Sequence, residues 1–507
     1  MKCFSEVDAP TCCGGGGEFS SQTVHRVATG EGASGNDFDA LVVAELNQLS
    51  LQDREKVYAD IHGVSDPLKE TPDFVNEMCR KFDFAISNIP GKDAYDVAMH
   101  LSSADEQRGG YNYVKDRSVH IQFLRADGWD PAKSAVRYIS FLAWKRKLFG
   151  NDKLTSRYIT LQDLSAESQK KIQSGRVQVL PTRDSSERAI VINVLALQAE
   201  PSAGGGNRET ASRCLMETFW YVLSSCVEDD DLTQQHGITG VVYTVGTAGS
   251  TGNQRQMMWN CAQMCSSLPV KYNAFHYCYD NAKLRRIAPL FQMGFGKHNR
   301  ARFKFHYGSH TECHYSLMSY GIPTNEIPVG TDGKVKTSNH SKWVRLRKAK
   351  ERIINRDPSA GKLRFDLIAL PSRHDVLLGR GKPFQDFRGN RQFHEFLTSF
   401  QDDYDNATYK NKLLLCKQLV SQYQKEVTGA HFLRQEEQTG WWVAVTDTDL
   451  VAKKVAHIFR NRRSVSSPGG GTRVNNKVAA TNKSKSIPSR TNDGKRLRVV
   501  TNAEEAS

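Results

Sequence analysis

Leu180 to Val194 reads LPTRDSSERAIVINV, and this stretch decides the fold. From Ala189 it is a short run of apolar and β-branched residues entered from a turn rich in Asp, Ser and Arg, the composition of a strand. Moving outward toward the C-terminus, Thr210 to Val222 reads as a helix, Gly240 to Val245 as a second strand, and Arg255 to Ser267 as a second helix. Phe303, Phe305 and Tyr307 then alternate as on a half-buried strand. Strands interleaved with helices predict an α/β fold, a mixed, mostly parallel sheet flanked by helices.

Toward the N-terminus the period changes. Ser50-x-x-Asp53 forms a capping box before Val57 and Ile61, and a largely helical stretch runs to about Leu148. Within it Asp130 and Pro131 stand where an N-cap and a first-turn proline belong, with Val136, Ile139 and Ala143 following on one face. The expected division is a helical N-terminal subdomain at 41–150, the sheet at 151–333 and a basic linker at 334–365. A small α+β domain at 366–463 completes the ordered part. In that last unit Phe393, Phe396, Leu397 and Phe400 mark one helix, and Leu413, Cys416, Val420 and Tyr423 a second. Phe432 to Val445 reads as a hairpin with Gly440 near its turn, and Val451, Val455, Ile458 and Phe459 mark a third helix. Residues 1–40 and 464–507 lack apolar periodicity and read as a disordered leader and a disordered basic tail.

The chain has 507 residues, 39% of them hydrophobic, enough for buried cores. No stretch reaches the ~18 consecutive apolar residues of a membrane span. The first residues, MKCFSEVDAPTCC, lack a basic segment followed by an apolar one, so a soluble cytoplasmic protein is expected. Eleven scattered cysteines agree with free thiols there, and Cys3, Cys12 and Cys13 are read as ordinary thiols rather than acylation sites. The net charge of +14 is uneven: residues 1–330 carry −2 and residues 331–507 carry +16. A polyanionic partner, either an anionic membrane surface or nucleic acid, is therefore expected in the C-terminal part.

Motifs of catalysis are incomplete. Ala248-Gly249-Ser250-Thr251-Gly252 has Ala where a nucleophile elbow needs Gly, and Gly379-x-Gly381-Lys382 lacks the spacer and the trailing Ser or Thr of a P-loop. His306, His310, Cys313 and His314, with Cys261 and Cys265, are too loosely paired for a zinc site. No catalytic residue, metal or cofactor is expected, and the chain is read as non-enzymatic.

Four blocks, in order, resemble the CRAL-TRIO lipid-binding family over residues of about 45–333. FLRADGWDPAKSAVRYISFLAWKR, Phe123 to Arg146, is similar to the helical segment preceding such domains. Leu180 to Val194 is similar to the first sheet strand, GVVYTVGTAG, Gly240 to Gly249, to the central one, and LMSYGIPTNEIPVGTDG, Leu317 to Gly333, to the ending. At Gln292, near where phosphatidylinositol-binding members carry a lysine, this chain has an amide. The resemblance implies an apolar pocket for a small hydrophobic ligand or phospholipid, closed by a gate helix at Lys283 to Phe295. Leu284, Ile287, Leu290, Phe291 and Phe295, with Val242 and Val245 of the central strand, are the residues it assigns to that site. Arg285 and Arg286 occupy the other side of the gate.

DVLLGRGKPFQDFRGNRQFHEFL, Asp375 to Leu397, with the Trp441-Trp442 strand, resembles an uncharacterised domain abundant in diatoms, over about 370–460. Arg380, Lys382, Arg388, Asn390 and Arg391 form a glycine-rich loop suited to an anion or an acidic partner. Two functions follow: binding, transfer or sensing of a lipid at membranes, or nuclear regulation in which the C-terminal unit contacts DNA. Lys495-Arg496-Leu497-Arg498 and Arg345 to Arg352 are candidate import signals for the second.

Overall fold

The computed structural model describes residues 43–64, 67–107, 111–196, 208–228, 230–245, 254–281, 284, 292, 295, 297–330, 334–356, 367–379, 381–427, 429–436 and 441–466. The chain forms two units, Met1–Ala456 and His457–Ser507. Of the second, only the end of the last helix is described.

Ser50 caps α1 (Leu51–His62) as expected, with Asp53 N donating to Ser50 Oγ at 3.0 Å. The Asp53 carboxylate accepts from Ser50 Oγ and not from Ser50 N, so the predicted box is half formed. Helices α2 (Pro72–Ser87), α3 (Asp93–Gln107), α4 (Arg117–Ala126) and α5 (Pro131–Phe149) follow. Asp130 caps α5 as expected, its Oδ1 accepting from Ala132 N and Lys133 N at 3.1 Å each. Phe82, Phe123, Leu124, Tyr138 and Leu142 form the centre of this helical layer. A short helix α6 (Ala166–Gln173) leads into the sheet.

The sheet has five strands in the order β1 (Val177–Val179), β2 (Ala189–Ala196), β3 (Ile238–Val245), β4 (Tyr272–Tyr279) and β5 (Phe303–Tyr307). β1 is antiparallel to β2, and β2 to β5 are parallel neighbours. Between β2 and β3 run α7 (Arg208–Val227) and α8 (Asp231–His236), and between β3 and β4 runs α9 (Gln254–Ser267). The fold class is therefore α/β, with a mostly parallel sheet flanked by helices, as the interleaved pattern predicted. β4 was invisible to that pattern because NAFHYCY mixes polar and aromatic residues, yet all eight of its residues are buried.

One face of the sheet meets α7 and α9; the other meets α10 (His310–Met318) and Ile322, Ile327 and Val329. The turn between β1 and β2 carries the deciding stretch. Asp184 is buried there and accepts from Ser186 N, Arg188 N, Arg188 Nε and Thr239 Oγ1. Arg188, 1% exposed, also donates from Nη1 to Asp60 O and Ile61 O, satisfying carbonyls that the last turn of α1 leaves open.

Residues 338–356 of the basic segment form a helix, α11 (Ser338–Arg356). Beyond it a four-stranded sheet has the order β6-β9-β8-β7. Its strands are β6 (Leu367–Ile368), β7 (Val376–Leu377), β8 (Phe432–Gln435) and β9 (Trp442–Ala444). β8 and β9 pair antiparallel, as the hairpin reading expects; Gly440 lies outside the described residues. Helices α12 (Arg388–Thr398), α13 (Tyr409–Glu426) and α14 (Thr448–Ser466) complete this small α+β region. No helix among the described residues is long and apolar enough to cross a membrane.

Candidate functional site

Between the sheet and α7 and α9 lies a cavity of about 50 Å³. Its floor is Val191 and Asn193 of β2, Gly240 and Val242 of β3 and Phe275 of β4. Its helical wall is Phe219 and Leu223 of α7 with Cys261, Ala262 and Cys265 of α9, and Tyr272 and Phe295 close one end. The small side chains of α9 and the missing side chain at Gly240 leave this room. Glycine inside a strand marks a place where something approaches the backbone closely. Phe275 fills part of that space: a Cβ on Gly240 would lie 3.0 Å from its ring. Phe275 and Phe303 stack and Phe295 packs tilted against both, with ring centroids 4.5 to 5.4 Å apart.

The wall carries no charge. A hydrogen bond with the Cys261 thiol, then burial, push the Cys265 thiol well up, and burial pushes the Tyr272 hydroxyl well up; Tyr272 Oη donates to Cys265 O at 3.1 Å. A protonated thiol is a poor nucleophile, so these groups supply surface, not reactivity. The volume would admit a few water molecules, yet the lining offers too few polar partners to hold them. What this arrangement does chemically is exclude water around apolar matter.

Of the residues assigned to the pocket from sequence, Val242 and Phe295 line the cavity. Leu284, 2% exposed, packs beside it against Val242, Tyr277 and Tyr279. Val245 ends β3, but its side chain, like all of Ile287, Leu290 and Phe291 and the arginines Arg285 and Arg286, lies outside the described residues. Sequence reasoning missed the contributions of α7 and α9. The available signal was Gly240 inside a β-branched run, and the small residues Cys261, Ala262 and Cys265 on one helical face.

The opposite face of the sheet is a mainly apolar core, Ile190, Ile192, Val194 and Val241 against Leu317, Ile322 and Val329, with polar groups set into it. His276 Nδ1 and His306 Nε2 are 3.0 Å apart, and Tyr320 packs tilted against His276 and edge-on to His306. Burial lowers both histidines, His306 to about 4. Cys278 and Cys313 sit together there, both buried. Among the described residues no group of three or more His, Cys, Asp or Glu side chains is arranged to hold a metal.

In the C-terminal region the glycine-rich segment is held by a clamp. Leu377 N donates to Asn390 Oδ1 at 2.7 Å, and Asn390 Nδ2 donates to Leu377 O at 2.9 Å. Gly389 is pressed so close to Asp375 that a Cβ would lie 2.0 Å from its carbonyl oxygen. Asn390 is therefore committed to fastening α12 to β7. Arg388 and Arg391 are exposed; Arg380 and the side chain of Lys382 lie outside the described residues.

Residues 375–461 match the family described as Domain of unknown function (DUF6824), within one to five residues of the bounds expected from sequence. No curated protein matches the chain. Among solved structures the chain is similar to the crystal structure of Sfh5, at 12% identity and a TM-score of 0.34, over 56% of this chain and 100% of that chain.

Proposed function

We propose that residues 41–333 form a non-catalytic, CRAL-TRIO-like module that carries a lipid or another small hydrophobic ligand. The observation carrying this proposal is the uncharged cavity beneath α7 and α9, which includes Val242 and Phe295 of the expected pocket. Burying an acyl chain gains about 0.8 kcal/mol per CH₂, so even a few methylenes lodged there contribute measurably. At about 50 Å³ the cavity would be the inner end of a longer site. The ordered match of four sequence blocks to the lipid-binding family supports the same function, and we place the protein in the cytoplasm, meeting membranes peripherally.

The test is extraction of the purified full-length protein with organic solvent, followed by mass spectrometry, together with uptake of labelled lipid from vesicles. A stoichiometric lipid in the wild-type chain, absent from Ala262→Leu, is the expected result. No lipid in either protein, and no uptake, would sink the proposal.

A further inference from the structure

α11 divides its residues cleanly between two surroundings. His340, Trp343, Leu346, Arg347, Lys350, Glu351 and Ile354 are buried. Lys342, Arg345, Lys348, Arg352 and Arg356 are exposed. On a helix of 3.6 residues per turn these five cations fall within an arc of about 120°, directly opposite the buried side, and extend about 21 Å along the axis. The only carboxylate on the helix, Glu351, points inward: it accepts from Tyr221 Oη at 2.5 Å and from Leu161 N at 3.0 Å. Arg347, one of two inward cations with Lys350, has Glu228 and Glu351 within 3.6 and 3.9 Å. The five outward cations have no acidic partner among the described residues.

From this segregation we infer that the outer face of α11 is a docking surface for an anionic lipid bilayer. A row of like charges held parallel and uncompensated repels itself and is relieved by a polyanion. Among polyanions the row fits a headgroup layer better than a nucleic acid. It carries no aromatic side chain to stack on a base, and Ile353, 42% exposed, borders it as an apolar contact. The inner face of α11 grips α7 through Arg347 Nε donating to Tyr221 Oη at 3.2 Å, and α7 supplies Phe219 and Leu223 to the cavity wall. Docking and the cavity thus share one helix. This inference extends the lipid-carrying function proposed above and names the face that meets the membrane.

The test is co-sedimentation of the full chain with phosphatidylcholine vesicles, with and without phosphatidylserine. A cation beside an anionic surface contributes roughly fivefold in affinity. The triple variant Lys342→Gln/Arg345→Gln/Arg352→Gln is therefore expected to bind phosphatidylserine vesicles on the order of 100-fold more weakly. The control Arg80→Gln/Lys81→Gln, at exposed cations of α2, is expected to bind as wild type. Unchanged binding by the triple variant, or an equal loss in the control, overturns the inference. So does tighter binding of the wild type to duplex DNA than to vesicles, lost in the same triple variant. Circular dichroism of the triple variant guards against misfolding; if it is unfolded, vesicle protection of α11 from hydrogen exchange in the wild type decides instead, and no protection overturns the inference. Lipid extraction separates the two proposals: an empty cavity with stripe-dependent docking rejects only the cargo, and a filled one with stripe-independent docking rejects only the surface.

Discussion

The two faces of the five-stranded sheet are made by alternate residues of the same strands, and they differ in kind. Toward α7 and α9, β3 and β4 present Gly240, Val242 and Phe275 around an empty, uncharged space. Toward α10 the same strands present Thr239, Tyr243, His276 and Cys278. Here several polar atoms are paired: Thr239 to Asp184, His276 Nδ1 to His306, and Tyr243 Oη to His310. The contrast teaches that one sheet can pair buried polar groups on one side while the other side leaves a small apolar volume unfilled. Both faces are buried, so the difference is chemical and not one of exposure.

The largest expected effect tests the polar side. Asp184→Ala leaves Arg188 buried with its carboxylate removed, and losing one partner of such a pair costs about 3–5 kcal/mol. Urea denaturation measures this, and a loss below about 1 kcal/mol would break the contrast. On the cavity side, Phe275→Ala should cost about 3 kcal/mol and enlarge the cavity, which increased uptake of an apolar probe would report.

The third expectation separates the faces by pH. The folded-state values of His276 and His306 lie below the ordinary histidine value of 6.5, His306 at about 4. The unfolded chain therefore binds more protons between those limits. Stability is full above about pH 6.5 and falls as the pH drops toward about 4. His236, lowered to about 4 by burial, then by Arg183 and Lys271, adds to the same slope. A denaturation series across this range should show the decline, flattened in His306→Phe. An unchanged slope in that variant would mean that the histidine pair does not govern it. The smallest stability change belongs to Ala262→Leu, which adds carbon to space already present; a shift of about 1 kcal/mol or less is expected, with cargo lost. A large destabilisation there would mean that the cavity wall cannot yield.

Much of the fold was legible because its strongest signals are local. Ser50 and Asp130 announced helix starts through side chains that cap the backbone within three residues, and β2 and β3 through apolar runs. The glycine-rich segment of the C-terminal region was equally visible, but its meaning was not. Asn390 looked available to a ligand until Leu377, distant in sequence, was seen to occupy both ends of its amide. Likewise the charge of α11 was plain from composition, while its one-sided display depended on which residues α7 and Leu161 drew inward.

The amino-acid order by itself determined the α/β class, the helix caps and the concentration of positive charge beyond residue 330, since each depends on neighbours a few positions apart. Only the tertiary structure decided where empty volume remains, which polar groups are already paired and which cations face outward. Those properties belong to side chains from distant segments meeting in space, and no local period in the chain records such meetings.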